Sequence, residues 1–289
     1  MALTVPFPPD VEELRLTLIE QDLPAVSDLT AEQAQQMYRE RARTLQEHWK
    51  APTNMTVRDV PGAREYEPRE PTDTSLIWVH GGGWVLGDTY TADPVARTIV
   101  ASTGWRVISV DYRLAPQHRF PAALDDVLKV AERTNAGTVL IGGDSAGGNL
   151  AAAAAAERAF DGHILIYPCI DPSLSTPSAD EFTEGPFLTR ADMEWFYQQY
   201  ADIPIGNPRI DLREIPVHGW SPTLVFTVGH DPLRDEGLML VERLRVRGVP
   251  MEHIHAPELY HGSFGISGIL PSAQVRVDEV WSAARRMWT

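Results

Sequence analysis

From residue 75 onward, short apolar runs recur along the chain, separated by amphipathic stretches. SLIWVH (75–80), VISVDY (107–112), TVLIG (138–142), HILIYP (163–168), TLVFTVG (223–229) and MEHIHA (251–256) have the length of strands. Most lack a strict apolar–polar alternation, so the pattern predicts strands buried on both faces. Between them, residues 91–103, 121–134, 146–159, 233–247 and 271–287 read as helices. Strands alternating with helices predict an α/β fold, with a mostly parallel central sheet and helices on both faces.

Three regions depart from the alternation. Residues 54–72 mix β-type residues with turn formers and predict antiparallel edge strands. Residues 171–221 are too long for a crossover and hold many prolines, with an aromatic helix-like piece, MEWFYQQY, at 193–200. An insertion of this kind usually sits over the carboxyl ends of the strands, where ligands bind. Residues 1–50 read as helical after a proline-rich start, with Val11, Leu14, Leu16, Leu18 and Ile19 in one stretch. Thr30 is placed to N-cap a second helix reaching about Trp49. That helix is mostly polar, which suits either a cap or a simple N-terminal arm. The expected organisation is N-terminal helices contributing to a small helical cap (1–50), a first core segment (51–170), a cap insertion (171–221) and a second core segment (222–289). The alanine run at 151–156 is helix-forming, and its small side chains let that helix lie close to the sheet.

Composition narrows the classes. With 289 residues, 43% of them hydrophobic, the chain can bury one large core, or a core plus a small cap. It carries 25 basic and 40 acidic residues, a formal charge of −15, which argues against binding a nucleic-acid backbone. Cys169 is the single cysteine, so an internal disulfide and a cysteine-based zinc site are excluded. No signal peptide and no membrane span are expected, and the expected location is cytoplasmic.

The chemistry centres on residues 143–147, GDSAG, which fit G-x-S-x-G between the TVLIG strand and the alanine-rich helix. A serine between a strand and a helix in a tight glycine-flanked turn is the layout of a nucleophile elbow. A serine alcohol needs a base, a group that orients the base, and donors for the oxyanion that forms. His80-Gly81-Gly82-Gly83-Trp84 follows the first buried strand, and its backbone can approach a ligand closely. Gly82, Gly83 and Ala146 are the candidate oxyanion donors. His261 lies just after the last strand, where a parallel sheet delivers residues to its active edge. Asp231 directly follows the preceding strand, although Pro232 beside it also makes Asp231 read as a helix N-cap. Asp235 is the rival acid, but it falls inside the predicted helix. His230 is expected to face elsewhere, and His253 and His255 share a strand face without an evident third metal ligand.

Taken together, HGGGW (80–84), GD (87–88), DYRLAP (111–116), FPAALDD (120–126), GDSAGGNL (143–150), DPLRDEG (231–237) and HG (261–262) resemble the hormone-sensitive-lipase-like family of α/β-hydrolase esterases. The shared motifs run from about residue 76 to 265, in family order. The resemblance implies an α/β-hydrolase fold with a helical cap, no cofactor, and hydrolysis of carboxylic esters with short to medium acyl chains. It makes Ser145 the nucleophile, Asp231 the acid, His261 the base, and Gly82, Gly83 and Ala146 the oxyanion donors. Two positions depart from the family pattern: Gln117 stands where glutamate is usual, and Ser263 intervenes before Phe264. Trp84, Trp195, Phe196, Tyr197 and Tyr200 would line a pocket for aryl or bulky groups, or else form the core of the cap. The expected partner is a small-molecule ester, and a homodimer is left open. The same apparatus would also serve an amide, carbamate, formamide or lactone. A non-catalytic receptor of this fold ranks low, because His261 is retained.

Overall fold

In the computed structural model, which describes residues 5–135 and 137–289, eight strands form one sheet. They are β1 (Met55–Val60), β2 (Ala63–Pro68), β3 (Thr74–Val79), β4 (Arg106–Val110), β5 (Thr138–Asp144), β6 (Gly162–Ile166), β7 (Thr223–His230) and β8 (Met251–Tyr260). Their spatial order is β1-β2-β4-β3-β5-β6-β7-β8. β1 and β2 form an antiparallel hairpin through Gly62, and β2 pairs antiparallel with β4. From β4 to β8 every pairing is parallel.

The continuous apolar runs are explained by burial on both faces. Leu76, Trp78, Leu140, Ile164 and Phe226 point to one side, where they pack with helices α3 (Asp93–Thr103) and α9 (Pro271–Trp288). Ile77, Val79, Ile141, Leu165 and Val225 point to the other side. There they meet α4 (Ala122–Arg133), α5 (Ala146–Glu157) and α8 (Arg234–Val246). This alternation is the period-two geometry of a strand, with both halves apolar. Ala146 and Ala151 to Ala154 of α5 are buried, so this helix lies close against the sheet that carries the serine.

Outside the alternating part, α1 (Pro9–Gln21) and α2 (Ala31–Glu47) precede the sheet. Thr30 caps α2 as expected. Its hydroxyl accepts from Gln33 N–H while the Gln33 side chain accepts from Thr30 N–H, a reciprocal capping box. The stretch from 171 to 221 holds α6 (Pro177–Glu181) and α7 (Arg190–Tyr200), the second being the aromatic piece seen in the sequence. α7 touches the N-terminal segment, where Ser27 N–H donates to Asp192. Residues 1–4 of the N-terminal segment lie outside the described residues.

Candidate active site

The site is assembled at the carboxyl ends of β5, β7 and β8. Ser145 sits between β5 and α5 with φ +57° and ψ −122°, a region that a side chain avoids unless its surroundings impose it. The surroundings are backbone. A Cβ on Gly143 would lie 2.4 Å from the Val79 carbonyl oxygen, and one on Gly147 would lie 2.0 Å from that same atom. Glycine at these two positions lets the elbow press against the end of β3. Ser145 N–H donates to Ile166 O at 2.9 Å, which ties the turn to the neighbouring strand.

Ser145, His261 and Asp231 form one hydrogen-bonded chain. The serine Oγ lies 2.9 Å from His261 Nε2, and His261 Nδ1 lies 2.8 Å from Asp231 Oδ2. Asp231 is wholly buried, and a carboxylate can only accept, so Nδ1 carries the proton and Nε2 is free to take the serine's. The other Asp231 oxygen accepts from Leu233 N–H at 2.8 Å. Asp231 is therefore the acid but not the N-cap of α8: its second oxygen closes a turn onto Leu233, which itself occupies the N-cap position without a side-chain cap bond. Pro232 was expected at the first helical position, but α8 begins only at Arg234, and Pro232 lies in the turn before it. The rival Asp235 turns away and accepts from Ser178 N–H and from Arg234.

The glycine loop is braced from below. Gly81 N–H donates to Asp144 Oδ1 at 3.1 Å, and the Tyr112 hydroxyl donates to His80 O at 2.9 Å. His80 stacks on Tyr112 with ring centroids 4.2 Å apart, and its Nδ1–H donates to Gly81 O at 2.8 Å. Burial lowers the His80 pKa, which keeps this imidazole neutral. Val85 and Leu86 N–H both donate to Gly82 O, so that carbonyl is held within the loop. Gly82 and Gly83 adopt φ of +117° and +58°. Burial pushes the Asp144 carboxyl up to about 6, against the downward pull of Gly81 N–H.

The aromatic candidates separate by depth. Trp84 and Tyr200 are wholly buried and stack nearly parallel, 4.6 Å apart, with Tyr197 tilted against Trp84 at 5.0 Å. The Phe196 ring lies directly over Gly83, and Trp195 meets it edge-on at 5.3 Å. Of the two departures from the family pattern, Gln117 Oε1 faces Gln35 of α2, which also donates to Val85 O next to the glycine loop. Ser263 is buried, and Phe264 packs beneath the sheet against Trp78, Phe226 and Trp281. His253 and His255 both bond the Thr227 hydroxyl, and His230 bonds Val5 O, away from the serine.

Several site residues were not singled out from the sequence. Tyr167 packs on His261 at 4.4 Å, and Cys169 Sγ lies 3.9 Å from Ser145 Oγ. Burial pushes the Cys169 thiol well above its ordinary range, so it is protonated. Tyr167 directly follows β6, the strand beside the nucleophile's, and Cys169 lies in the loop just after it; that position was the available signal. Asn149 Nδ2 donates to Cys169 O and Ile210 O, each at 2.9 Å. Glu236 accepts from Ile170 N–H and Asp171 N–H, and burial pushes its carboxyl well up despite those donors.

A strained serine whose proton can pass to a neutral imidazole held by a buried carboxylate defines a serine hydrolase. Residues 76–265 match the family model described as alpha/beta hydrolase fold, and the chain belongs to that family. It is 35% identical over 248 residues to the carboxylic ester hydrolase LipN of Mycobacterium tuberculosis, across 77% of this chain and 66% of that protein. To the ethyl acetate hydrolase of Pseudomonas putida it is 33% identical, across 69% of each chain. The hyperthermophilic esterase from the archaeon Pyrobaculum calidifontis superposes with a TM-score of 0.91 at 30% identity, covering 98% of this chain and 99% of that one. Among the described residues, no helix is long and apolar enough to cross a membrane.

Proposed function

We propose that the protein is a carboxylic-ester hydrolase of the hormone-sensitive-lipase-like type, acting on short to medium-chain or aryl esters through an acyl-enzyme. The hydrogen-bonded chain from Ser145 Oγ through His261 to Asp231 carries this reading. His261 Nε2 takes the serine proton as Oγ attacks the ester carbonyl. The oxyanion is held by N–H groups of Gly82, Gly83 and Ala146. Support for that assignment comes from the positive φ of both glycines and from the start of α5 at Ala146. His261 then protonates the leaving alcohol and activates the water that releases the acid, while Asp231 fixes its tautomer.

Residues 1–50 and 171–221 form the cap, on this reading, and α7 reaches the glycine loop through Phe196. Phe196 and Trp195 form the wall that meets substrate, with Trp84 and Tyr200 stacked behind them. The likeness to an ethyl acetate hydrolase supports small esters.

The test is a hydrolysis screen over acyl length, alkyl and aryl alcohols, and matched amides, carbamates and lactones. Turnover highest on short or aryl esters, and lost in Ser145→Ala, is expected. Preference for an amide or lactone series would reassign the substrate while leaving the triad intact. Failure of a fluorophosphonate to label Ser145 would point to a receptor instead.

A further inference from the structure

The arm before α1 takes no part in the chemistry above, yet it lies against the supports of both the acid and the base. Phe7 stacks on the His230 imidazole with centroids 3.9 Å apart and planes inclined by 30°. On its other side Phe7 meets Phe187, in the insertion, edge-on at 5.8 Å. Phe187 in turn stacks on Tyr260, 3.7 Å away and nearly parallel at 13°. His230 Nε2–H donates to Val5 O at 2.8 Å, which fixes the ring against the arm. The arm is pinned just downstream, where Asp10 accepts twice from Ser272 and Val11 is fully buried.

The register closes this chain of rings. His230 and Tyr260 are pairing partners at the ends of β7 and β8, so their backbone pairing closes the ring contacts His230–Phe7–Phe187–Tyr260 into a circuit. The next residues in each strand are Asp231 and His261. The ladder between β7 and β8 is irregular here, with a register shift between Val228 and His230. Beyond the shift, the backbone tie between the strand ends is a single long bond, His261 N–H to His230 O at 3.2 Å, so side-chain contacts share in setting their separation. Aromatic pairs attract in an orientation-dependent way, so each stacked or edge-on contact holds its rings at a set spacing.

We propose that Phe7 and Phe187 are positioning residues. Their ring circuit holds the ends of β7 and β8 at the separation that the His261–Asp231 hydrogen bond requires. The proposal rests on the triad reading, but the two fail separately.

The experiment uses the full chain carrying Phe7→Ala, Phe187→Ala, both together, or Phe7→Tyr. kcat and KM are measured on a small soluble ester and normalised to serines that react to completion with a fluorophosphonate. A kcat loss of about tenfold is expected for each alanine variant, with KM within about twofold, since a small misplacement of catalytic groups acts on turnover. Phe7→Tyr should retain turnover, because it keeps the ring. The double variant should be no worse than the worse single one, because either change opens the same circuit. Unchanged kcat per reactive serine would overturn the proposal. So would a loss carried by KM, which would make these rings substrate contacts, or single effects that multiply in the double variant. An active Ser145→Ala enzyme would instead sink the triad reading.

Discussion

Gly83→Ala tests the glycine loop against its neighbours. The added Cβ would lie 2.1 Å from Phe196 Cδ1 and 2.2 Å from Cγ. Cγ is the root of the ring, so a rotation about the ring axis does not clear the overlap, and either α7 or the loop must move. The φ of +58° adds a second cost. An L side chain in the left-handed region is strained by about 1–2 kcal/mol, roughly a 5- to 30-fold effect if it falls on the reactive conformation. Displacing the loop costs more. Loss of one oxyanion donor removes about 2.7–4 kcal/mol, or roughly 10²–10³ in kcat. The assay is turnover of a p-nitrophenyl ester by the single variants, Gly83→Ala and Phe196→Ala, and by the double variant. In the Phe196→Ala background the clash is gone, so Gly83→Ala should cost only the strain. The coupling should be about 2 kcal/mol in favour of the double variant. If Gly83→Ala keeps turnover within a few-fold of wild type, the loop does not supply a donor at this position. If Gly83→Ala costs the same in both backgrounds, Phe196 does not constrain the loop.

Other variants address the remaining parts of the site. Ser145→Ala should lower kcat by roughly 10⁶, read by burst-free steady-state turnover, as in other triads. Asp231→Asn leaves an acceptor for Leu233 N–H but no longer enforces the His261 tautomer, so kcat should fall by about 10⁴ with KM little changed. Asp144 bears on pH, since its carboxyl moves from 3.8 up to about 6 on folding. Between those values the folded chain binds a proton that the unfolded chain has released. The contribution of this group therefore favours the native state at low pH and is lost as pH rises through about 6. Asn at 144 still accepts from Gly81 N–H, so Asp144→Asn should gain stability relative to wild type from pH 4 to pH 7 in urea titrations; a constant difference would remove Asp144 from this role. Glu236→Gln can accept only one of its two backbone N–H donors. It should lower unfolding stability by about 1–3 kcal/mol, and unchanged denaturant midpoints would contradict the burial argument.

The parallel sheet was legible because its strands are apolar on both faces and are separated by helical segments of ordinary length. The triad was legible because Ser145, Asp231 and His261 each directly follow a strand, so topology alone brings them to one edge. The strand pairing of β2 with β4 was not legible, because sequence order hides a hairpin inserted beside a later strand. Tyr167, Cys169, Asn149 and Glu236 were missed for a different reason. Asn149 and Glu236 fall inside the GDSAGGNL and DPLRDEG motifs, but what each of the four does is set by contacts with residues far away in sequence. The aromatic residues at 195–200 were recognised as a group, but their depth was unreadable. Helical periodicity does not say that Tyr200 is wholly buried on Trp84 while Trp195 is only half-buried beside Phe196.

The two ends of the segment between β6 and β7 are fastened side by side. Leu212 N–H donates to Ile170 O at 2.9 Å, Asn149 of α5 holds both Cys169 O and Ile210 O, and Glu236 of α8 holds the amides of Ile170 and Asp171. Arg243 of α8 adds bonds to Leu212 O and Ile215 O. The segment therefore behaves as a cassette plugged into a fixed socket, with the socket built by the helices that follow the nucleophile and the acid. Doubling the length of such a closed loop costs only about 0.6 kcal/mol in chain entropy. Residues 172–209 can thus be exchanged for a graft of different length, provided it keeps the rings that pack on fixed parts of the fold: Phe187 on Tyr260, and Tyr197 and Tyr200 on Trp84. The socket residues Asn149, Glu236 and Arg243 are the ones a chimera has to keep.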